Sequence, residues 1–325
     1  MNIYDFDKTI YDGDSTVAFI GYCAKRYKKT FITLLPTAWA FLLYSIDIYT
    51  KTQFKEIMYR FLQYIPDIDS ALKDFWDTHE KNILDYYKKQ MHPDDIIISA
   101  SPEFLLEPIC RRLGIERLIA SKVDKHTGKY EGENCWGEEK VLRLYEKYGV
   151  AECDNFYSDS YSDTPLANIA DKAYIVRQNT LSPWEEYRPT RAEKFKKTFL
   201  SKEFIKFVGV GVACTLFNVV FSAIYRLFIP DTVLAFLPGY VTANVVSYLL
   251  NSFITFKEQL TLLRYIKYFI SYIPNFIIQT VLVFAYTELF PLSPDIWAYI
   301  AAAVIGVPVT FVIMKIFTFK KEKNL

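Results

Sequence analysis

The chain has 325 residues, a net charge of +1 and 23% charged side chains. That is enough length for about two domains of ~150 residues, and it leaves no global basic field to favour nucleic acid. The averages conceal a split: most Asp, Glu, Lys and Arg lie within 1–200, whereas 204–319 is mostly Phe, Ile, Val, Leu, Ala and Tyr. Five scattered cysteines (Cys23, Cys110, Cys135, Cys153 and Cys214) form no CxxC pair, so reduced thiols in a cytosolic setting are expected. Histidines at 79, 92 and 126 are too dispersed for a His-based metal site. The first residues lack a basic-then-apolar pattern, so no cleaved leader is expected.

The chain opens MNIYDFDKT, a short apolar run that ends in Asp5 and Asp7. Two acids at the end of a strand are by themselves a turn signal, so their meaning depends on partners further along. Residues 12–93 separate this stretch from the next strand-like run. Within them 30–46, TFITLLPTAWAFLLYSI, is apolar, follows KRYKK and contains Pro36. At about 17 residues it is borderline for a membrane span, which takes ~20. A single crossing there would also separate Asp5 from the later acids. The readings that stay open are a segment that lies in the membrane interface or dips in and returns, with its basic flank on anionic head groups, or a buried helix.

Residues 94–101, DDIIISAS, then read as a buried strand ending in small hydroxyl residues. EFLLEPICRRLG and GEEKVLRLYEKYG follow as amphipathic helices, and NFYSDSYSD (155–163) is another apolar run ending in Asp159 and Asp163. Strands alternating with helices imply an α/β unit with a parallel sheet, whose polar strand ends converge on one crevice.

That set resembles the haloacid dehalogenase superfamily over roughly 1–180. Asp5-Phe6-Asp7-Lys8-Thr9 is similar to its first motif, DxDxT; Ser99 to the second, Lys140 to the third, and Asp159 with Asp163 to the fourth. The variant SASPEF…GENCWGEEK…YSDSYSD looks closest to the branch of phosphoserine phosphatase and phosphatidylglycerophosphatase C. The resemblance implies a Rossmann-like parallel sheet with a helical cap at about 12–93. It implies a Mg²⁺-dependent phosphoric monoester hydrolase in which Asp5 attacks phosphorus and Asp7 serves as acid and then base. A second acid favours a phosphatase over a dehalogenase, which has no leaving alkoxide to protonate. Ser99 and Lys140 would hold the transferring phosphoryl oxygens, and Thr9 would tighten the first loop. Metal oxygens would come from Asp5, the Asp7 backbone carbonyl and Asp159, with Asp163 behind them or bridging to a metal-bound water. Lys122, Lys125 and Lys129 compete with Lys140 for the third-motif role. Asp7-Lys8-Thr9 also resembles the DKTGT of P-type ATPases, but no Gly-Thr follows.

Residues 181–203 read as a polar juxtamembrane linker in which Trp184 and Tyr187 could anchor at head groups or simply pack. Four long apolar segments follow, at about 204–229, 233–256, 264–290 and 294–318, each long enough to cross ~30 Å of hydrocarbon as a helix. The links IPDT and PLSPD lack Lys and Arg, whereas KKTFLSKEFIK, FKEQLTLLR and FKKEK are basic. The positive-inside rule then puts both termini and the middle loop in the cytoplasm. FIKFVGVGVACTLFNVVFSAIYRLF (204–228) and YIKYFISYIPNFIIQTVLVFAYTELF (265–290) are alike, as are the endings ITFKE and FTFKK, so the half is expected to be two tandem helix pairs.

This half resembles the GtrA-like family, four-helix proteins linked to moving polyprenyl-phosphate sugars. The opening Phe204-Ile205-Lys206-Phe207, Asn251 and the Thr-Phe-Lys endings at 255–257 and 318–320 carry the resemblance; Ser252 departs from it, where an Arg commonly follows the Asn. Asn218, Asn244, Asn251, Asn275 and Gln279 are polar residues inside the apolar segments, either functional or bonded helix to helix. Lys206, Lys267 and Lys315 lie near the cytoplasmic ends, where they can snorkel to phosphates.

Together the two resemblances imply a phosphatase acting on a lipid-linked phosphate at the cytoplasmic face of the cell membrane. The four-helix domain would bind or flip a polyprenyl-phosphate-type lipid in glycan biosynthesis. The alternatives are a lipid-sugar transporter with a regulatory soluble domain, and a soluble-metabolite phosphatase with a membrane anchor. The expected partners are a membrane lipid or lipid-linked sugar phosphate, with no nucleic acid; four helices are few for a transport path, which suits a homodimer.

Overall fold

A computed structural model describes residues 1–290 and 295–319. The chain divides into two compact units, Met1–Arg188 and Pro189–Leu325.

The first unit is built on β1 (Asn2–Tyr4), which is followed by helices α1 (Ser15–Arg26), α2 (Leu34–Ser45), α3 (Lys51–Tyr59), α4 (Ile68–His79) and α5 (Asp85–Gln90). Then come β2 (Ile96–Pro102), α6 (Glu103–Arg112), β3 (Arg117–Ser121), α7 (Glu138–Tyr148), β4 (Cys153–Ser158), α8 (Thr164–Ala167), β5 (Ala170–Arg177) and β6 (Thr180–Pro183). The sheet order is β3-β2-β1-β4-β5-β6; every neighbouring pair is parallel except β5 with β6. Ile3 lies beside Ile96 on one side and Phe156 on the other, so β1 is central. Both faces of β1 are buried, as a covered parallel sheet requires. Tyr4, Ile97 and Tyr157 join the core that also holds Phe75 and Trp76 of α4. Ile3, Ile96, Ile98 and Phe156 join the other core, with Leu144 of α7 and Leu166 of α8.

The helical segment between β1 and β2 leaves and rejoins the sheet through adjacent crossings. The Asp12 amide donates to the Asn82 carbonyl at 2.8 Å, and the Leu84 amide to that of Ile10 at 2.8 Å. The hairpin after β3 also grips this segment. Gly128, at φ +76°, lies so close to Tyr59 that a Cβ would come within 2.6 Å of the Tyr59 carbonyl oxygen. The Tyr130 amide donates to Glu56 at 3.0 Å, and Lys125 pairs with Asp69 at 2.6 Å. The segment expected at 30–46 is a 3₁₀ turn, Lys28–Thr33, leading into α2. Pro36 falls in the first helical turn, where its missing N–H costs nothing. The first unit runs on to Arg188, beyond the expected edge at 180. Gln178, at φ +53°, lets the chain turn back so that Thr180–Pro183 pairs with β5 instead of entering a linker.

In the second unit, α9 (Arg191–Phe199) is capped by a Thr190–Glu193 box and occupies part of the expected linker. It is followed by α10 (Lys202–Arg226), α11 (Thr232–Leu250), α12 (Leu262–Ile270), α13 (Tyr272–Leu289) and α14 (Asp295–Ile313). Both α11 and α14 run into short π-helices, Asn251–Phe256 and Met314–Thr318, so the two similar endings share an unusual backbone. The third apolar segment, expected as one helix over 264–290, is two. Pro274 offers no N–H and its ring crowds the carbonyl of Ile270, the last residue of α12. Among the described residues, one helix, Lys202–Arg226, is long and apolar enough by length and composition to cross a membrane. Residues 291–294, Lys320 and the side chains of Asn275 and Gln279 lie outside the described residues.

Candidate active site

Strand β1 delivers Asp5 one residue past its end; the Asp5 amide still donates to the Tyr157 carbonyl at 2.9 Å, extending the ladder. The chain then folds over the Phe6 carbonyl, which accepts from the amides of Thr9 (3.3 Å), Ile10 (2.8 Å) and Tyr11 (3.0 Å). Lys8 takes a left-handed conformation at φ +59° to close this turn. Phe6 is fully buried, edge-on to Trp76, and so pins the loop that carries both acids.

Lys140 approaches from the start of α7. Its ammonium lies 2.7 Å from Asp5 Oδ1 and 2.9 Å from Asp163 Oδ1 and is 2% exposed. Burial opposes its charge, but Asp5 and Asp163 outweigh burial and hold it protonated. Asp163 is fixed from the other side by the Ser158 hydroxyl, which donates to its Oδ2 at 2.8 Å. Asp5 is pushed well above the ordinary carboxylate range. Burial is the main cause, Lys140 opposes it, and the charges of Asp163 and Asp159 add to it. Three acids thus gather around one lysine.

Asp7 has different company. Its Oδ1 accepts from the Ser15 amide at 2.6 Å, at the N-terminus of α1, and its Oδ2 from the Ser101 hydroxyl at 2.5 Å. Burial still raises its proton affinity, Asp14 adds to that, and the Ser101 and Ser15 bonds offset part of it. Ser99, 1% exposed, receives the Ser101 amide on its hydroxyl at 3.1 Å. The residue of this strand end that meets an acid is therefore Ser101. Thr9 does more than tighten its own loop: its hydroxyl accepts from the Asp159 amide at 2.9 Å, tying the loop after β4 to the loop after β1. Arg177 grips the Asp159 carbonyl at 2.5 Å. Burial raises the Asp159 carboxyl to about 6, against the pull of Lys8 and Arg177.

Among the described residues, no three His, Cys, Asp or Glu side chains gather as a closed metal cage. Asp5 and Asp159 offer something else: two carboxylates at neighbouring strand ends, close enough that the charge of Asp159 raises the proton affinity of Asp5. Hard oxygens in an incomplete set suit Mg²⁺, which keeps several of its waters.

Of the residues singled out in the sequence, the fold unites Asp5, Lys140 and Asp163 by direct contact, and joins Thr9 to Asp159 through the backbone. Sequence reasoning missed Ser101, Ser158, Arg177 and Lys55. Ser101 and Ser158 were visible as hydroxyls inside SAS and YSD, but their direction was not. Lys55, on α3, donates to the Ala100 carbonyl at 2.9 Å and to Asn134 at 2.8 Å. Burial lowers its pKa to about 8, with Lys51 adding to the effect and Asp14 and Asp7 opposing it. Nothing in its local sequence marks it.

In the second unit, Asn251 donates to the Ser247 carbonyl and the Tyr268 hydroxyl, both at 3.0 Å, and accepts from Thr255 at 3.0 Å. Asn218 accepts from Ser222 at 3.4 Å, whereas Asn244 Oδ1 is buried without a hydrogen-bond partner among the described residues. Lys206 is buried, and Lys315 pairs with Glu203.

Residues 206–319 match the model of the GtrA/DPMS transmembrane domain. Protein CicA of Caulobacter vibrioides is 34% identical over 88 residues, which are 25% of this chain and 40% of that protein. Probable phosphatase Rv3661 of Mycobacterium tuberculosis is 35% identical over 91 residues, 26% of this chain and 31% of its own. The chain thus spans less than half the length of either. Histidinol-phosphatase of Neisseria meningitidis is 25% identical over 211 residues, covering 54% of this chain and 89% of that protein. Residues 3–168, half of the chain, match the haloacid dehalogenase-like hydrolase model. With its acids and lysine on the strand ends of a parallel sheet, the chain belongs to the haloacid dehalogenase-like hydrolases.

Proposed function

We propose that the protein is a Mg²⁺-dependent phosphatase that removes a phosphate monoester from a lipid-linked substrate at the cytoplasmic face of a membrane. The observation that carries the chemistry is the contrast between two acids in one loop. Burial raises the proton affinity of both, but Asp5 is held against the ammonium of the buried Lys140, which favours its ionised form, whereas Asp7 is held by neutral donors alone. Groups whose surroundings separate them in this way divide into nucleophile and acid.

An oxygen of Asp5 attacks phosphorus, the bond from phosphorus to the ester oxygen breaks, and Asp7 gives its proton to that oxygen. The products are an alcohol and an aspartyl-phosphate. Asp7, now ionised, takes a proton from water, whose oxygen attacks the same phosphorus. The bond to Asp5 breaks and inorganic phosphate leaves. Lys140 offsets negative charge at the transferring group, Ser99 lies at the strand end that faces it, and Asp163 with Ser158 fixes Lys140. Asp5, the Asp7 carbonyl and Asp159 would hold Mg²⁺, which when bound would supply positive charge beside Asp5 and the phosphoryl oxygens.

The lipid substrate rests on the GtrA/DPMS match in the same chain, whose helices would bind or flip a polyprenyl-phosphate-type lipid. Similarity to a histidinol-phosphatase favours a second reading, a small soluble phosphomonoester. The test is turnover in detergent of lipid-linked phosphates against soluble phosphomonoesters, by wild type and Asp5→Asn. Faster turnover of the lipid phosphates, abolished in the variant, is expected. Preference for small esters would remove the lipid substrate, and undiminished turnover by Asp5→Asn would remove the mechanism.

A further inference from the structure

Helix α2 is packed inside out. Its buried residues are small, Ala40 and Ser45, with Thr33 just before it. Its large apolar residues face outward: Leu35 is 80% exposed and Trp39 63%, with Leu34, Phe41 and Leu42 also exposed. The turns on either side continue the pattern through Phe31 and Ile32 before it and Ile46 and Ile48 after it. A helix of a soluble domain buries its bulky apolar stripe and leaves small and polar residues outside. Here the attachment is real, because Phe54 of α3 packs against Phe41 and Tyr44, yet most of the apolar surface has no partner within the unit. Patches of this kind mark interaction sites.

We propose that this face of the cap, from Phe31 to Ile48, inserts into the surface of an anionic bilayer. Three observations select that occupant. Lys25, Arg26, Lys28 and Lys29 are exposed immediately before the apolar run, and among the described residues Arg26 alone of these pairs with an acid, Asp74, at 3.1 Å. A basic flank beside Trp, Phe and Leu is the composition of helices that lie in head groups. At 12 residues α2 is about 18 Å long, too short to cross ~30 Å of hydrocarbon but sufficient to lie along the interface. The chain also matches a transmembrane domain from 206 onward, so covalent continuity keeps this unit close to a bilayer. The contact does not rest on the proposed chemistry.

The experiment uses the full chain reconstituted in phosphatidylglycerol-rich vesicles, in a background without its native cysteines, with a fluorophore at Leu35→Cys or Trp39→Cys. Lipid-borne nitroxides near the head groups are expected to quench each label by more than about half, as for a helix buried ~5–10 Å deep. A water-soluble quencher should then have little effect. A control label at Glu152→Cys, exposed on the first unit, should show the reverse. Quenching from water, cross-linking between two copies through these cysteines, or shielding from both quenchers would each overturn the proposal. Replacing Lys25, Lys28 and Lys29 by Glu should weaken lipid quenching while leaving aryl phosphate turnover unchanged; unaltered quenching would remove the electrostatic part.

Discussion

Ser101 has a measurable consequence at the scale of single residues. Its hydroxyl stabilises the ionised form of Asp7, so Ser101→Ala should raise the proton affinity of that acid. A general acid acts while protonated and fails as pH rises through its pKa, so the alkaline limb of kcat/KM should move to higher pH in the variant. An unmoved limb would mean that Asp7 is not the acid. Asp159 gives a second test. Its pKa in the fold, about 6, lies above the ordinary carboxylate value, so its contribution to stability is present below about pH 4 and is lost as pH rises through about 6. A metal needs the ionised carboxylate. Mg²⁺ is therefore expected to raise Tm more near pH 7 than near pH 5 in thermal melts; an equal shift, or none near pH 7, would argue against this ligand. The sequence made Asp5, Lys140 and Asp163 legible because each stands at the end of an apolar run or the start of a helix. Ser101 and Lys55 were not legible, because their partners lie 94 and 45 to 79 residues away and only packing sets their direction.

At the scale of elements, composition foretold helices better than their breaks. An apolar run longer than twenty residues reads as one helix, but Pro274 divides the third segment after Ile270. The π-helical endings at Asn251–Phe256 and Met314–Thr318 have no counterpart in periodicity, although the matching ITFKE and FTFKK hinted that the two places share a structure. Close packing of α10 on α11 depends on Gly239, where a Cβ would come 2.8 Å from the Cα of Ser222. Small residues let membrane helices approach in this way. Gly239→Val should therefore force the pair apart at a cost of roughly 1–3 kcal/mol, seen as a lower Tm of the detergent-solubilised chain. An unchanged Tm would show that the contact gives way freely.

At the scale of the whole molecule, the sequence reads as a charged, strand-bearing half and an apolar helical half, and the first compact unit runs to Arg188. The return of the chain at Gln178 into β6 depends on pairing with β5, which local composition does not reveal. The charge pattern of the links assigns sides that labelling can check. Asp231→Cys, between α10 and α11, should react with an impermeant maleimide from outside intact cells. Gln259→Cys, between the π-helix and α12, should react only after permeabilisation. The reverse pattern would invert the orientation and put the hydrolase unit outside.

The helical insert leaves the sheet at Ile10 and Asp12 and returns beside them at Asn82 and Leu84, so its two ends lie side by side. A module with adjoining ends can be lengthened, shortened or exchanged without moving the strands on either side. Residues of the insert can thus diverge under one set of pressures while those at the strand ends stay under another. The outward apolar face of α2 lies wholly within that insert, so it can be gained or lost while the strand ends that carry Asp5 and Asp159 keep their places.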